Sequence, residues 1–246
     1  MGARAMSHTR PMAHPDWPLF DLRVRTPRLE LRPPSDDDIE ALAELAAQGV
    51  HEPDFMPFEN PWTDAPEREL RRSAMQFYWR QRAEWLPESW HLPLAVIDDG
   101  VVVGTQGVQA VNFATVRSVE TGSWIGRAHQ GHGIGKEMRA AVLHLAFAGL
   151  EAIDAHSGAY HDNHASIGVS RSLGYLDNGV RRRRRRDRGD LQLLFRMPRE
   201  VWTQRRRDDI DIEGLAPCLP MFGAGPQTPS HTPSSSMNAS VAPLHS

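Results

Sequence analysis

Gln130-Gly131-His132-Gly133-Ile134-Gly135-Lys136 is the stretch of this chain densest in residues that could do chemistry. Three glycines bare backbone N–H groups just before a run with helical apolar spacing, so these amides would stand at the positive end of a helix. Such a turn can wrap a phosphate or pyrophosphate. Lys136 adds a flexible cation at the same point, and it is the only lysine among 28 basic residues. Coding bias explains the arginines; it does not explain where the one lysine sits. The spacing is not that of a GxxxxGK[ST] loop, and no acidic residue follows a strand at the distance a dinucleotide fingerprint requires. A bare glycine turn joining strand to helix, with no ligand, is the alternative that the loop alone leaves open.

Other chemistry-bearing residues are sparser. Cys218 is the single cysteine, which excludes an intramolecular disulfide and a cysteine-based metal site. Its Pro-flanked setting, Ala216-Pro-Cys-Leu-Pro220, is a poor seat for a positioned nucleophile. Arg181 to Arg186, with Arg188, form the one charge block. It reads as a strand of a terminal hairpin decorated on both faces and frayed into solvent. An anion-attracting rim is the sharper alternative; nucleic acid is disfavoured because no aromatics interleave the arginines.

The elements that must position these residues follow from periodicity. Phe20, Leu22 and Val24 alternate with charged neighbours, as do Leu29 and Leu31, predicting two half-buried strands. Ser35 and Asp38 form a capping box ahead of Ile39, Leu42, Leu45 and Ala46. Residues 51–62 read as a loop rich in Pro and aromatics. Asp64 is expected to cap a second helix, with Pro66 early, Glu67 at the box position and Leu70, Ala74, Phe77, Tyr78 and Trp85 on its stripe. Residues 94–97 and 101–111 flank an Asp98-Asp99-Gly100 turn and predict a hairpin. A strand over 118–125, a helix over 133–149, a strand over about 153–160 and a helix over 163–173 with Gly174 past its end follow. A last hairpin spans about 180–197, turning near Arg188-Gly189-Asp190. This order predicts an α/β (α+β) fold with a mixed, mostly antiparallel sheet flanked by helices.

The chain has 246 residues, 40% hydrophobic and 24% charged, with a formal charge of −3, which suits one domain with extensions. Residues 1–16 read as a disordered N-terminus, 17–201 as the domain, 202–223 as an extension packing on it, and 224–246 as a disordered Ser/Pro/Thr-rich tail. No apolar run is long enough to span a membrane, and the N-terminus lacks the apolar core of a signal peptide, so the expected location is cytoplasmic.

Four motifs in order carry a resemblance to a known family. Gln130-x-x-Gly133-x-Gly135 matches the [QR]-x-x-G-x-[GA] acyl-CoA loop of the GNAT acetyltransferase superfamily. Glu120-Thr-Gly-Ser-Trp-Ile-Gly126 resembles its fourth strand, and Asn163-His-Ala-Ser166 with Ser172-Leu-Gly-Tyr175 resembles its N-x-x-S…L-G-[FY] segment. Thr26-Pro-Arg-Leu-Glu-Leu-Arg32 is similar to the opening strand of the branch that includes ribosomal-protein N-terminal acetyltransferases. Together they cover about residues 26–198. A closer resemblance, to mycobacterial GNAT succinyltransferases that use succinyl-CoA, rests on residues 17–22, 49–54, 56–58, 130–133, 137–143 and 194–196, and reaches into the C-terminal extension.

The resemblance implies a single GNAT N-acyltransferase domain whose central strands splay apart to admit acetyl-CoA or succinyl-CoA as acyl donor, with no metal. Backbone groups around Trp124 and Ile125 would pair with the pantetheine arm. Gln130, Gly131, His132, Gly133, Ile134, Gly135 and Lys136 would hold the pyrophosphate. Asn163 would touch the arm, and Ser166 or Ser170 would protonate the departing thiolate. Glu120 stands where many such enzymes place a general base, a solvated strand carboxylate being the plainer alternative. The glutamate that the ribosomal branch often carries on the last hairpin is replaced here by about Arg185, which leaves Asp162, His156 and His161 as further candidates. Phe55, Met56, Phe58 and Trp62 would line the acceptor side. The implied reaction is direct attack of a primary amine (lysine, peptide N-terminus or small molecule) on the thioester. A non-catalytic CoA sensor or protein-interaction module on the same fold is the competing reading. Acceptor, donor and oligomeric state, a homo-oligomer included, stay open at this level.

Overall fold

The computed structural model describes residues 14–225. Of the expected disordered ends, 1–16 and 224–246, residues 1–13 and 226–246 lie outside the described residues; the His14 N–H donates to the Asp21 carboxylate, and His14 Nδ1 accepts from the N–H groups of Asp16 and Trp17. The chain opens with a 3-10 turn, Pro18–Asp21, followed by β1 (Arg23–Arg25) and β2 (Leu29–Arg32). Phe20 departs from the expected alternation: Pro18 sets φ for the turn, Leu19 is buried instead, and Phe20 is exposed.

Helix α1 (Asp36–Gln48) starts as its sequence requires. Ser35 Oγ accepts from the Asp38 N–H at 3.1 Å and the Asp38 carboxylate accepts from the Ser35 N–H at 2.9 Å, a reciprocal cap worth about 1 kcal/mol. Helix α2 (Glu67–Ala83) does not start as expected. Pro66 occupies its N-cap position with no side-chain bond, and Asp64 faces away to pair with Arg186. Strands β3 (Ser89–Asp98) and β4 (Val101–Val111) form the predicted hairpin, with Asp99 and Gly100 at φ 48° and 78° in the two-residue turn.

A short α3 (Phe113–Val116) leads to β5 (Ser118–Ile125). Helix α4 (Ile134–His144) widens into a π turn over Leu145–Gly149, so the predicted helix over 133–149 is one body with a changed pitch. Strand β6 (Asp154–Tyr160), α5 (His164–Leu173), β7 (Leu176–Arg185), β8 (Arg188–Pro198) and α6 (Arg199–Gln204) follow. The last hairpin turns at Arg186-Asp187, two residues earlier than expected. Beyond α6 the chain returns to the sheet: β9 (Asp211–Glu213) pairs with β1, and a 3-10 segment, Ala216–Phe222, buries Cys218 and Phe222.

The nine strands form one sheet in the order β7-β8-β6-β5-β4-β3-β2-β1-β9. Every pairing is antiparallel except β5 with β6. That parallel pairing is short, running from Ser118↔Asp154 to Glu120↔His156. Past it β5 stays with β4 through Ile125, and β6 stays with β8 through Tyr160, so the sheet opens between them. Strand parity sorts the faces. Val119 and Ala155 pack with Ile134, Met138 and Val142 of α4 on one side. On the other, Ile39, Leu42 and Tyr78 of α1 and α2 pack on Ala95 and Ile97, with Trp124 against them.

Candidate active site

The glycine turn is built to present bare amides. Gly131 and Gly133 both take φ 80°, a left-handed conformation that a side chain would strain, and Gly133 caps α4 with no side-chain bond. Among the described residues no backbone acceptor meets the N–H groups of Gly131 through Gly135; the first capping bonds are from Lys136 and Glu137 to the Gly133 carbonyl. Five N–H donors are therefore left without a backbone acceptor at the positive end of α4, with exposed Lys136 beside them.

The loop is held rigidly from behind. Gln130 Nε2 donates to the carbonyls of Val50 (2.7 Å) and Ile125 (2.9 Å), so its side chain braces the turn instead of pointing to a ligand. Arg28 donates to the His132 carbonyl at 3.1 Å and pairs with Glu137, which also accepts from Thr26 Oγ1 at 2.6 Å. Gly126 is needed on the way in: a Cβ there would lie 2.4 Å from a Leu45 methyl.

From the turn, the opening between β5 and β6 runs down to Glu120 and His156. Its upper edge on β5 carries Trp124 and Ile125, whose β6-facing backbone has no strand partner. An extended chain with amide groups can pair there as an added strand, so the residues fit a pantetheine arm ending in a pyrophosphate. Asn163 caps α5, its side-chain oxygen accepting from the Ser166 N–H at 3.2 Å. Ser170 is fully buried on the same helix, and its Oγ makes no hydrogen bond to the described residues. Ser166 is half-buried on the first turn of the same helix.

Glu120 lies on the α1–α2 face, directly beside His156, and opens into a cleft of about 480 Å3. Gln109 donates to its carboxylate at 3.3 Å. Glu84, Gln81 and His91 also line the cleft, and no arginine or lysine does. Burial alone pushes the His91 imidazole down to about 4, so it is neutral at pH 7. Of the other candidates for a base, His156 pairs with Asp154 at 3.1 Å, His161 with Asp190 at 3.3 Å, and Asp162 is bound by Arg185. Glu120 is the carboxylate that faces both the cleft and the vertex of the opening.

Phe55, Met56, Phe58 and Trp62 do not line that cleft. Phe58 packs on Trp62 (centroids 5.3 Å) and Trp62 on Trp124 (5.8 Å), so they roof the outer part of β5. Met56 and Phe55 instead meet Arg185, which corrects the picture of a frayed arginine block. Arg185 is 3% exposed; it bonds Asp162 and Asp190 at 2.9 Å and the Met56 carbonyl at 2.7 Å, and lies over the rings of Tyr160 and Phe55. Burial works against its charge, but the two carboxylates outweigh it and hold the guanidinium above its ordinary value. Arg186 adds paired bonds to Asp64.

Sequence reasoning missed Arg139. It lies on α4, buried beneath the opening, and bonds Gln106, Ser123 and Ser157. The signal was available: Gly135, Arg139, Val142 and Ala146 share one helical face at three- and four-residue spacing, and a charge in that stripe needs a reason. Cys218 is buried in the core, and burial pushes its thiol up to about 12, so it cannot serve as a thiolate nucleophile. Among the described residues no His/Cys/Asp/Glu cluster could hold a metal, and no helix is long and apolar enough to cross a membrane.

Known proteins share this architecture. RimJ of Mycobacterium smegmatis, solved with a CoA disulfide, matches with TM-score 0.60 and 21% identity over 78% of this chain and 98% of its own. A GCN5-related N-acetyltransferase from Brucella melitensis matches with TM-score 0.59 and 18% identity, over 74% and 80%. RimL, a ribosomal-protein alpha-N-acetyltransferase solved with coenzyme A, matches with TM-score 0.55 and 16% identity, over 70% and 95%. At these identities the likeness establishes the fold. The family follows from the sequence profile of the acetyltransferase (GNAT) domain, which matches residues 28–176. With that profile spanning the glycine turn, the opened strands and α5, the chain belongs to the GNAT acetyltransferase family, whose members transfer acyl groups from coenzyme A thioesters.

Proposed function

We propose that this protein transfers an acetyl or succinyl group from its CoA thioester to a primary amine on a lysine, a peptide N-terminus or a small molecule, by direct attack. The observation that carries the reading is the continuity of three features: acceptor-free amides at the glycine turn, an unpaired strand edge below it, and Glu120 at the vertex, open to the cleft. The amine arrives protonated and must lose a proton. Glu120 takes it, directly or through one water, and a cleft free of arginine and lysine favours a cationic acceptor. The amine nitrogen then bonds the thioester carbon as the C–S bond breaks, and the second proton that nitrogen must shed reaches the departing thiolate through the Ser170 or Ser166 hydroxyl, which gives one proton and takes up the other. Holding both reactants in line lowers the barrier further. No covalent acyl-enzyme is needed, which agrees with the inert Cys218.

Calorimetry with acetyl-CoA and succinyl-CoA, followed by thiol release across an amine panel, tests this. Binding of a thioester and amine-dependent thiol release are expected. Failure to bind any CoA species sinks the reading; binding without turnover on any amine favours a sensor on the same fold.

A further inference from the structure

We propose that Arg139 reads the end of the acyl chain, and that the preferred donor carries a carboxylate there. This rests on the reading above, that a CoA thioester lies between β5 and β6. The chain shows how it treats a buried guanidinium when only the fold is at stake: Arg185 is given two carboxylates at 2.9 Å. Arg139, equally buried at 3% exposure, is given none. Its Nε donates to Gln106 Oε1 at 3.3 Å, Nη1 to Ser157 Oγ at 2.9 Å and Nη2 to Ser123 Oγ at 3.2 Å. All three acceptors are neutral, and among the described residues no carboxylate lies within ion-pair reach.

A buried charge without a counter-ion is costly, and a hydrophobic side chain would fill the same helical stripe at no such cost. The three bonds occupy three of five N–H donors, so each terminal nitrogen keeps one hydrogen for a further acceptor. One free N–H on each terminal nitrogen can meet the two oxygens of a single carboxylate. The position selects which carboxylate. Ser157 is the first β6 residue past the last paired one, His156, and Ser123 is on the diverging stretch of β5. Arg139 thus bridges the opening close to its vertex, while the pyrophosphate turn lies at the far end. A donor anchored at the turn brings its acyl end, not its phosphates, to this guanidinium. An acetyl group leaves the charge uncompensated; a succinyl or glutaryl group neutralises it.

Titration of the full chain with butyryl-, succinyl- and glutaryl-CoA tests the assignment, because butyryl copies the succinyl chain without the charge. A carboxylate-ended thioester is expected to bind about 10- to 100-fold tighter than butyryl-CoA, the range for a hydrogen bond to a charged group. Arg139→Met should erase that ratio while leaving butyryl-CoA affinity within about threefold, as suits a neutral chain. Arg139→Lys keeps the charge without the fork, should retain part of the ratio, and serves in place of the Met variant should that variant fail to fold. Equal affinity of the native protein for butyryl- and succinyl-CoA overturns the proposal whatever the variants do, as does a preference that survives Arg139→Met or is unchanged in Arg139→Lys. Loss of both thioesters together in Arg139→Met shows a brace across the opening and also overturns it. A native protein that binds no thioester fails the acyl-transfer reading itself, a distinct result.

Discussion

Glu120 reaches the cleft because of parity: Val119 and Thr121 on either side are buried in the opposite face, and the next even position, Gly122, carries no side chain to crowd it. Glu120→Gln keeps the Gln109 contact and removes the proton acceptor, so kcat should fall about 100-fold or more while thioester affinity holds; stopped-flow thiol release with parallel calorimetry reads both. Lys136→Ala should weaken CoA binding about two- to fivefold, the scale of an exposed charge–charge contact, without moving the melting temperature. His91 gives a pH signature. Its folded-state value of about 4 lies below the ordinary 6.5, so between those values the unfolded chain binds more protons than the folded one. His91 therefore contributes stability above about pH 6.5, and this is lost as pH falls toward 4. His91→Gln should flatten that part of the stability–pH curve in chemical denaturation. At this scale the glycine turn was legible because its residues are unusual locally. The burial of Arg139 was signalled by its place in the helical stripe, but its meaning was not, because that comes from Gln106, Ser123 and Ser157, which only the folded sheet brings together.

Elements owe their exact placement to a few contacts that cross long stretches of sequence. The 51–64 loop is held against the last hairpin by Arg185 and Arg186, through Met56, Asp64 and the Pro53 carbonyl. Nothing in the run of six arginines distinguishes these two by type; the turn at Arg186-Asp187 decides which side each one takes. The same turn explains why Asp64 serves as an ion-pair partner and not a helix cap. Arg185→Met should strip a buried partner from Asp162 and Asp190 and loosen this contact, costing about 3 kcal/mol in denaturant unfolding while the acceptor KM and CoA affinity stay put. A raised KM would bring the 51–64 loop into the acceptor site. Gly104 is the matching constraint on the donor side. A Cβ there would stand 2.4 Å from the Trp124 carbonyl oxygen, so β4 can hold β5 only through a glycine. Gly104→Ala should push the Trp124 and Ile125 backbone outward and weaken thioester binding. Its stability cost of about 1–3 kcal/mol is typical of overpacking and is readable as a drop in melting temperature.

Across the whole molecule, the segment after α6 closes the sheet and the core together. β9 covers the β1 edge, and Phe222 lies against Trp90 and Trp85 with ring centroids 4.9 and 5.3 Å apart, while both indoles donate to carbonyls of the segment. Ile210, Cys218 and Phe222 are all buried. At about 1.5–3 kcal/mol for each large apolar side chain, their loss is comparable with the 5–15 kcal/mol that keeps a domain folded. The apolar positions of this stretch were legible in the sequence; their address was not, since the partners lie more than a hundred residues upstream. Truncation after Arg207 should therefore leave a chain that melts far lower or aggregates. Cys218 supplies an internal reporter of the same docking. Burial holds its thiol near 12, so in the native chain at pH 8 it should resist alkylation by iodoacetamide, and mild denaturant that releases the segment should expose it. Labelling that begins at lower denaturant than the loss of secondary structure would show the segment undocking as a separate unit. Labelling that coincides with global unfolding would show it as part of one cooperative core, the outcome expected from the Phe222–Trp90–Phe113 ring cluster at its centre.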